Sequence, residues 1–310
     1  MARCMGAAPR FAFPLFLLGS AVLSAGPLLV RLADVGPTQS AFWRLAIGAP
    51  LLFLLVRAVE GRQARLASVP HAGWLTLAGL FFAADLAAWH FGIARTTLAN
   101  STLLANSTAF LFPVWGYLVI RKWPTRQAGV ALVLAAAGIA ILAGRSASLS
   151  PAHLSGDLLC LLAAVFYTGY LVVMQRTRRG TTALGALAWA TLAGAAILLP
   201  VALIAPGAFW PRDWTPLVIL ALSSQLLGQG LIIYALPHLP PIASGLGLLI
   251  QPIFSASFGY GWYGEILAPS DLAGMAIIFI AILLVRSRGA TAKRVETRTP
   301  PLLGGAQAPD

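Results

Sequence analysis

The sequence is poor in charged residues. It contains 21 Lys and Arg and 9 Asp and Glu among 310 residues, so that 10% of the chain is charged, whereas a soluble domain carries about 25%. By contrast, 59% of the residues are hydrophobic, and the mean hydropathy is +0.83. A water-soluble globule of this size could not cover its surface with so few charges. The composition therefore excludes a soluble enzyme and a disordered protein, and it predicts a polytopic membrane protein.

The residue patterns of catalytic and metal sites are absent too. The two cysteines, Cys4 and Cys160, form neither a disulfide framework nor a paired metal site. There is no HExxH motif and no phosphate-binding P-loop. An intramembrane hydrolase would need a nucleophile with a base, or a metal-ligand cluster, at helical spacing. We therefore expect no enzyme, no cofactor and no ATP-driven pump. The four histidines are scattered, at His71, His90, His153 and His238.

What the chain does have is long apolar runs. A helix needs about 20 mostly apolar residues to cross a bilayer, and ten runs are long enough. They predict an all-α integral membrane protein with ten transmembrane helices and loops too short for a further domain. Pro27, Pro113 and Pro252 lie inside three of the runs and should bend them. The predicted spans are 11–32, 38–56, 72–93, 98–119, 126–144, 156–174, 184–204, 215–235, 241–262 and 268–285.

Basic residues are unevenly divided between the two sides of these spans. Cytoplasmic loops carry an excess of Lys and Arg, so we expect both termini in the cytoplasm. The net charge of +12 then comes from basic residues at the membrane surface that orient the spans, and no nucleic-acid partner is expected. The side with the termini holds Arg3, Arg10, Arg57, Arg62, Arg65, Arg121, Lys122, Arg126, Arg176, Arg178, Arg179, Arg286, Arg288, Lys293, Arg294 and Arg298, and the other side holds Arg31, Arg95, Arg145 and Arg212.

The two halves of the chain show a weak internal repeat. Val22–Gly26 in the first span aligns with Val165–Gly169 in the sixth, and Phe110–Val114 in the fourth aligns with Leu249–Ile253 in the ninth. Each half holds five predicted spans, and this odd number means that the two copies have opposite orientations in the membrane. Inverted repeats are typical of secondary transporters, which bind substrate between the halves near the bilayer midplane.

Six short segments match the pattern of one membrane-protein family. They are Trp43-Arg44, Thr97–Asn106, Gly156–Tyr167, Leu249–Phe254, Gly264-Glu265 and Leu272–Gly274. In these segments the chain resembles the EamA-like family of the drug/metabolite transporter superfamily, over about residues 11 to 286. The first half departs from the pattern after span four, where Arg121-Lys122 stands in place of the Gly-Glu pair.

The resemblance implies two inverted five-helix repeats around a central cavity. It divides the chain into a cytoplasmic N-tail (1–10), a first repeat (11–144), a second repeat (156–286) and a basic cytoplasmic tail (287–310). It implies a proton-coupled exporter of small organic metabolites, such as amino acids or drugs, working by alternating access in a bacterial inner membrane. The expected partners are a small-molecule substrate, protons and the lipid bilayer, and the expected state is a monomer. The residues leave open a non-transporting receptor or scaffold and a passive channel or facilitator.

Three ionisable side chains lie clearly at bilayer depth, away from the ends of the predicted spans: Arg44, Asp85 and His90. Charges at bilayer depth are costly and usually face the protein interior or a water-filled cavity. Arg44 and Asp85 are predicted at similar depth, about 9 and 12 Å, on antiparallel neighbours. They form either a permanent ion pair or an exchangeable pair, in which Asp85 releases Arg44 for a proton or a cationic substrate group. His90 is on another face of its helix, and is either a hydrogen-bonding residue or a proton relay.

Polar and aromatic side chains complete the predicted site. Amides and hydroxyls are expensive against lipid, so pairs of them one helical turn apart should face inward, as a cavity lining or as contacts between helices. Trp89, one turn after Asp85, either stacks on a substrate or anchors the helix at the membrane interface. We assign proton coupling to Asp85, Arg44 and His90. The predicted substrate cavity comprises Trp89, Thr102, Asn106, Tyr167, Tyr170, Gln225, Gln229, Gln251 and Ser255.

Overall fold

A computed structural model describes residues 11–61, 69–95, 98–121, 124–146, 151–177, 181–263 and most of 269–284. Within these ranges the regular secondary structure is entirely helical. Seven helices are long and apolar enough to cross a membrane, and three shorter apolar helices cover 108–119, 126–138 and 272–281. The expected helical membrane protein is confirmed, whereas the count of ten spans stays a prediction. Both predicted tails and the Gly264-Glu265 pair lie outside the described residues.

In its described residues, the first half of the chain contains seven helices. They are α1 (Ala12–Leu23), α2 (Gly26–Leu32), α3 (Pro37–Glu60), α4 (Val69–Ile93), α5 (Leu98–Ala105), α6 (Thr108–Ile120) and α7 (Arg126–Ser146). The second half continues with α8 (Pro151–Arg176), α9 (Ala183–Ile204), α10 (Thr215–Leu220), a π-helix (Ala221–Gly228), α11 (Gln229–Ala235), a 3-10 turn (Leu236–His238), α12 (Pro241–Leu248) and α13 (Ile250–Tyr263).

Two of the helix breaks lie where a proline requires them. Proline has no N–H to bond the carbonyl four residues earlier. Accordingly, α1 ends at Leu23, four residues before Pro27, and α12 ends at Leu248, four residues before Pro252. Pro113 differs, because it lies inside α6 and the break that precedes it is at 106–107.

The two halves pack against each other through small residues. Helix α4 contacts α8 and α9, and α3 contacts α9, so helices of the first half alternate with helices of the second. At the crossing of α4 and α9, a Cβ added to Gly79 would lie 2.6 Å from the Cβ of Ala193 and 2.8 Å from the carbonyl oxygen of Ala190. Small residues let helices approach this closely in membranes. Only glycine therefore fits at position 79.

The connection between α9 and α10 (205–214) is bound to the start of α3. Gln39 donates to the carbonyl oxygen of Ala205 at 3.0 Å, and the Trp43 indole donates to that of Phe209 at 2.7 Å. At the far end of the connection, Asp213 accepts the backbone N–H of Thr215 at 2.9 Å, which lowers the pKa of this exposed carboxyl group. The two halves are thus also joined by polar contacts at this end of the bundle.

Candidate functional site

Two breaks in helices border one cavity inside the bundle. The break between α1 and α2 contains Ser24, and the break between α5 and α6 contains Asn106. Both side chains line one cavity. Non-helical backbone at membrane depth is tolerated where it is buried in protein or lines a cavity. The breaks are therefore consistent with a polar site inside the membrane.

This cavity has a volume of about 60 Å³. It has room for a few water molecules and is small compared with ligand pockets of about 300–1,000 Å³. Eight of the twelve predicted site residues line it, and they come from both halves of the chain. These eight are Arg44, Asp85, Trp89, Thr102, Asn106, Tyr167, Gln229 and Gln251.

Asp85 is the acidic residue of the cavity wall. It lies on α4 and its side chain is 8% exposed. Within the described part of the chain, its carboxyl group makes no hydrogen bond, and no basic group lies within the 4.0 Å of an ion pair. An ionised carboxylate buried without a partner is expensive. Asp85 is therefore placed to take up a proton or to bind a cationic group.

Arg44 also lines the cavity and is held by its neighbours. It is 3% exposed, and its Nε donates to Oε1 of Gln225 at 3.2 Å. Its Cζ lies over the ring of Phe82, 5.8 Å from the ring centroid, a distance at which a cation is attracted to an aromatic face. Both contacts fix the guanidinium from other helices. Arg44 thus brings a positive charge to the cavity wall.

The second half supplies neutral groups to the same wall. The hydroxyl of Tyr167, on α8, donates to Oε1 of Gln229 at 3.0 Å. Tyr167 stacks on Tyr170 with ring centroids 5.7 Å apart, and Tyr170 stacks on Phe82 at 4.6 Å. The stack connects α8 to α4 beneath the cavity. It holds the Tyr167 hydroxyl and the Gln229 amide in place.

At the end of α5, two polar side chains make contacts of different kinds. Asn106, in the break just after α5, donates to the carbonyl oxygen of Thr102 in α5 at 2.7 Å. The Thr102 hydroxyl lies 3.2 Å from the hydroxyl of Ser255 on α13. Gln251, one helical turn before Ser255, reaches the cavity wall itself. The pair of helices α5 and α13 thus combines helix contacts with cavity lining, the two alternatives that the sequence left open.

His90 lies away from the cavity. It is fully buried, and its Nδ1 is 2.9 Å from the carbonyl oxygen of Pro37 and 2.8 Å from the hydroxyl of Ser40. Both partners belong to the first turn of α3. The structure therefore places His90 in a contact between α3 and α4, as one of the two expected alternatives. No cluster of three or more possible metal ligands occurs among the described residues.

Three further predicted residues lie behind the cavity wall. Gln225 and Tyr170 are fully buried, and Ser255 is 4% exposed. Gln225 bonds Arg44, Ser255 contacts Thr102, and Tyr170 packs between two rings. Each therefore supports a residue of the wall instead of lining it. Whether a side chain reaches the cavity depends on how its helix is rotated about its own axis. The spacing of residues along one helix does not determine that rotation.

Several lining residues were missed by the sequence analysis. Phe82 lies three residues before Asp85, and this spacing places both on one helix face. Ser24 lies in the repeated segment of the first span, and Thr108 follows Asn106 in the polar part of span four. Leu86 is apolar and carries no signal in the sequence. The first three could have been found from helical spacing around the charged residues.

Comparisons with known proteins agree with this architecture. A family model, the EamA-like transporter family, matches residues 10–144 and again residues 154–287. An uncharacterised transporter of Archaeoglobus fulgidus is 24% identical over 74% of this chain and 81% of its own length. The pseudopaline exporter CntI of Pseudomonas aeruginosa is 27% identical over 87% of this chain and 93% of its own length.

A solved crystal structure has the same fold. It superposes with a TM-score of 0.72 at 17% identity, and the match covers 92% of this chain and 98% of the other. The helical bundle, the cavity bordered by both halves and the two family matches lead to the same assignment. The chain belongs to the EamA-like transporter family, and it is a multi-pass membrane protein.

Proposed function

We propose that this protein is a secondary transporter that exports small organic metabolites, such as amino acids or related compounds, in exchange for protons. Its ten helices form two inverted five-helix repeats that work by alternating access in a bacterial inner membrane, with both termini in the cytoplasm. The double family match and the excess of basic residues on one side support this topology. The direction of transport is supported by the similarity to the pseudopaline exporter of Pseudomonas aeruginosa.

The observation that carries the proposal is the carboxyl group of Asp85. It is buried in a cavity lined by both halves, and within the described residues it has neither a hydrogen bond nor an ion pair. Such a group is neutralised either by a proton or by a cationic part of a substrate. When the two compete for one carboxylate, the binding of one drives the release of the other. This competition couples proton entry to export.

The small volume of the cavity supports a mechanism with moving helices. At about 60 Å³ it does not hold a typical metabolite, so the substrate enters only after helices separate. The breaks at 24–25 and 106–107 and the π-helix at 221–228 offer local flexibility beside the cavity. Rocking of one repeat against the other would open it to each side in turn.

Reconstitution tests the proposal. Purified protein is screened by thermal shift against a metabolite panel, and the strongest ligand is loaded into proteoliposomes under a pH gradient. We expect the gradient to drive transport by the natural chain. Asp85→Asn should abolish gradient-driven transport and weaken ligand binding, because the variant lacks the carboxylate for which the proton and the cationic group of the ligand compete. Asp213→Asn makes the same change outside the cavity, where an Asn oxygen still accepts the Thr215 N–H, and it should behave like the natural chain.

Three results would contradict the proposal. Binding without transport under any gradient would indicate a receptor, and transport that ignores the pH gradient would indicate a facilitator. Normal gradient-driven transport by Asp85→Asn would remove this residue from the coupling. Loss of folded Asp85→Asn protein, restored by also replacing Arg44 with Met, would show a static ion pair between the two.

A further inference from the structure

The cavity contains two opposite charges that do not pair. Arg44, from α3, and Asp85, from α4, both line it, yet no nitrogen of the guanidinium lies within 4.0 Å of a carboxylate oxygen. Opposite charges attract strongly where little water screens them. Something must therefore hold the two side chains apart in this structure.

A relay of two residues from the second half holds Arg44. Oε1 of Gln225 accepts from Arg44 Nε at 3.2 Å, and Nε2 of the same amide donates to the hydroxyl of Thr191, on α9, at 2.8 Å. Thr191 and Gln225 are both fully buried. Because Nε2 is engaged by Thr191, the amide oxygen faces Arg44, and the relay has one orientation.

The backbone of α3 leaves room for this relay. Gly48 lies one helical turn after Arg44, and a Cβ at that position would be 2.7 Å from Cγ of Gln225. Glycine thus lets the Gln225 side chain pass α3 and reach Arg44. On its other side, Arg44 lies over the ring of Phe82. The guanidinium is held directly by residues of α4 and the π-helix, and α9 acts on it through Gln225.

We infer that this site binds a zwitterion, with its anionic group on Arg44 and its cationic group on Asp85, and that Thr191 and Gln225 position Arg44 for it. This inference rests on the proposed transport function and narrows its substrate class. A ligand with both charges neutralises both buried groups. A ligand with one charge neutralises only one of the two residues and leaves the other buried without a partner. A neutral ligand leaves both residues without a partner. The site therefore binds a ligand with both charges more tightly than a ligand with one charge or with none.

Protection of Asp85 from a carbodiimide tests the substrate class. A hydrophobic carbodiimide modifies buried carboxyl groups, and peptide mass spectrometry of the full chain reports modification at this position, with Asp85→Asn as the background. The probes are the L-amino acids, their methyl esters, which lack the anionic group, and their N-acetyl derivatives, which lack the cationic group. We expect at least one amino acid to protect at a tenfold or more lower concentration than both of its derivatives. Equal protection by the ester, or protection by none of the amino acids, would overturn the inference.

Two variants test the relay. Thr191→Val keeps the shape of the side chain and removes the acceptor for Gln225, and Gly48→Ala pushes Gln225 away from Arg44. Both should lose the tenfold preference for the amino acid over its ester, while the ester protects as before. Thr177→Val makes the matching change at a buried threonine that bonds within its own turn, to Met174, and should keep the preference.

The outcomes separate this inference from the proposed function. An unchanged preference for the amino acid in both Thr191→Val and Gly48→Ala would overturn the positioning role. If the natural protein exchanges protons for an ester or a simple amine as well as for any amino acid, the inference of zwitterion binding is wrong, while the proposed transport function is supported. If no compound of the metabolite panel is moved in proteoliposomes, the transport function itself fails.

Discussion

The two halves of the chain share one family pattern and contribute opposite chemistry to the cavity. The first half supplies both charges, Arg44 and Asp85, whereas the second half supplies neutral groups, namely Tyr167, Gln229 and Gln251. A charge carried by one half experiences new surroundings whenever the other half moves. In the proposed transport cycle, this division means that movement of the second half alone changes the environment of Asp85.

The halves also meet in two different ways. In the middle of the bundle, α4 and α9 touch through glycine and alanine with almost no side-chain volume between them. At the end where α3 begins, the halves are joined by hydrogen bonds from Gln39 and Trp43 to backbone carbonyls. Packing of backbone surfaces tolerates no added volume, whereas individual hydrogen bonds can be lost one at a time.

The largest effect is expected at the crossing of α4 and α9. In Gly79→Leu even the first side-chain carbon overlaps Ala193 and Ala190, and overpacking of this kind costs about 1–3 kcal/mol or more. We expect loss of folded protein in size-exclusion chromatography. Gly73→Leu is the control on the same helix, because its Cβ meets nothing within 4 Å. Equal stability of the two variants would show that the halves are not held together at this crossing.

A smaller effect is expected when the first half loses its cation. Arg44→Met retains much of the apolar stem and removes the charge, so a ligand with an anionic group should bind more weakly by about 1.5–3 kcal/mol, or roughly 10–100-fold. Isothermal titration with the strongest ligand of the metabolite panel measures this. Arg57→Met, on an exposed part of α3, is the control and should bind normally. Normal binding by Arg44→Met would show that the charge of Arg44 does not contribute to ligand binding.

A smaller loss of ligand affinity is expected when the hydrogen bond between Tyr167 and Gln229 in the second half is removed. Tyr167→Phe keeps the ring stack and leaves Oε1 of Gln229 without its donor, so ligand affinity should fall by about 1–1.5 kcal/mol. The same titration measures the change. Tyr260→Phe removes the hydroxyl of a tyrosine that is 60% exposed and should leave affinity unchanged. A loss as large as that of Arg44→Met would contradict the division between charged and neutral halves.

The smallest effect is expected at the contact between α3 and the 205–214 connection. Trp43→Phe loses the hydrogen bond to Phe209, which should lower the free energy of unfolding by about 0.5–1 kcal/mol with ligand affinity unchanged. Thermal unfolding followed by tryptophan fluorescence measures it. Trp74→Phe, at a position 46% exposed, should unfold like the natural chain. A loss of ligand affinity in Trp43→Phe would connect this contact to the cavity.

The sequence located the helices and predicted that Arg44 and Asp85 lie close together, while their role in proton coupling stays a prediction. Apolar run lengths located the helices, and counting residues along two antiparallel helices brought Arg44 and Asp85 to one cavity. Both inferences depend on distances along a helix, which the chain itself fixes. The proline breaks at Pro27 and Pro252 likewise follow from a missing backbone donor.

Rotations and contacts between helices could not be predicted in the same way. Gln225 and Gln229 are four residues apart and were expected on one face, but Gln225 lies in the π-helix, whose turns hold more residues than α-turns. Gln225 therefore faces Arg44 and Thr191, while Gln229 faces Tyr167. The π-helix has no signature in the sequence, because it depends on how neighbouring helices pack.

The small cavity volume has a consequence for measured affinities. If a ligand binds only to molecules in which the helices have separated, the apparent dissociation constant is the intrinsic one divided by the fraction of open molecules. An open population of about 1% would weaken apparent binding about 100-fold. Substitutions that favour the open population would then tighten binding without touching the ligand, and they would slow turnover if closing becomes the difficult step. Weak binding by the natural chain is therefore compatible with a highly complementary site.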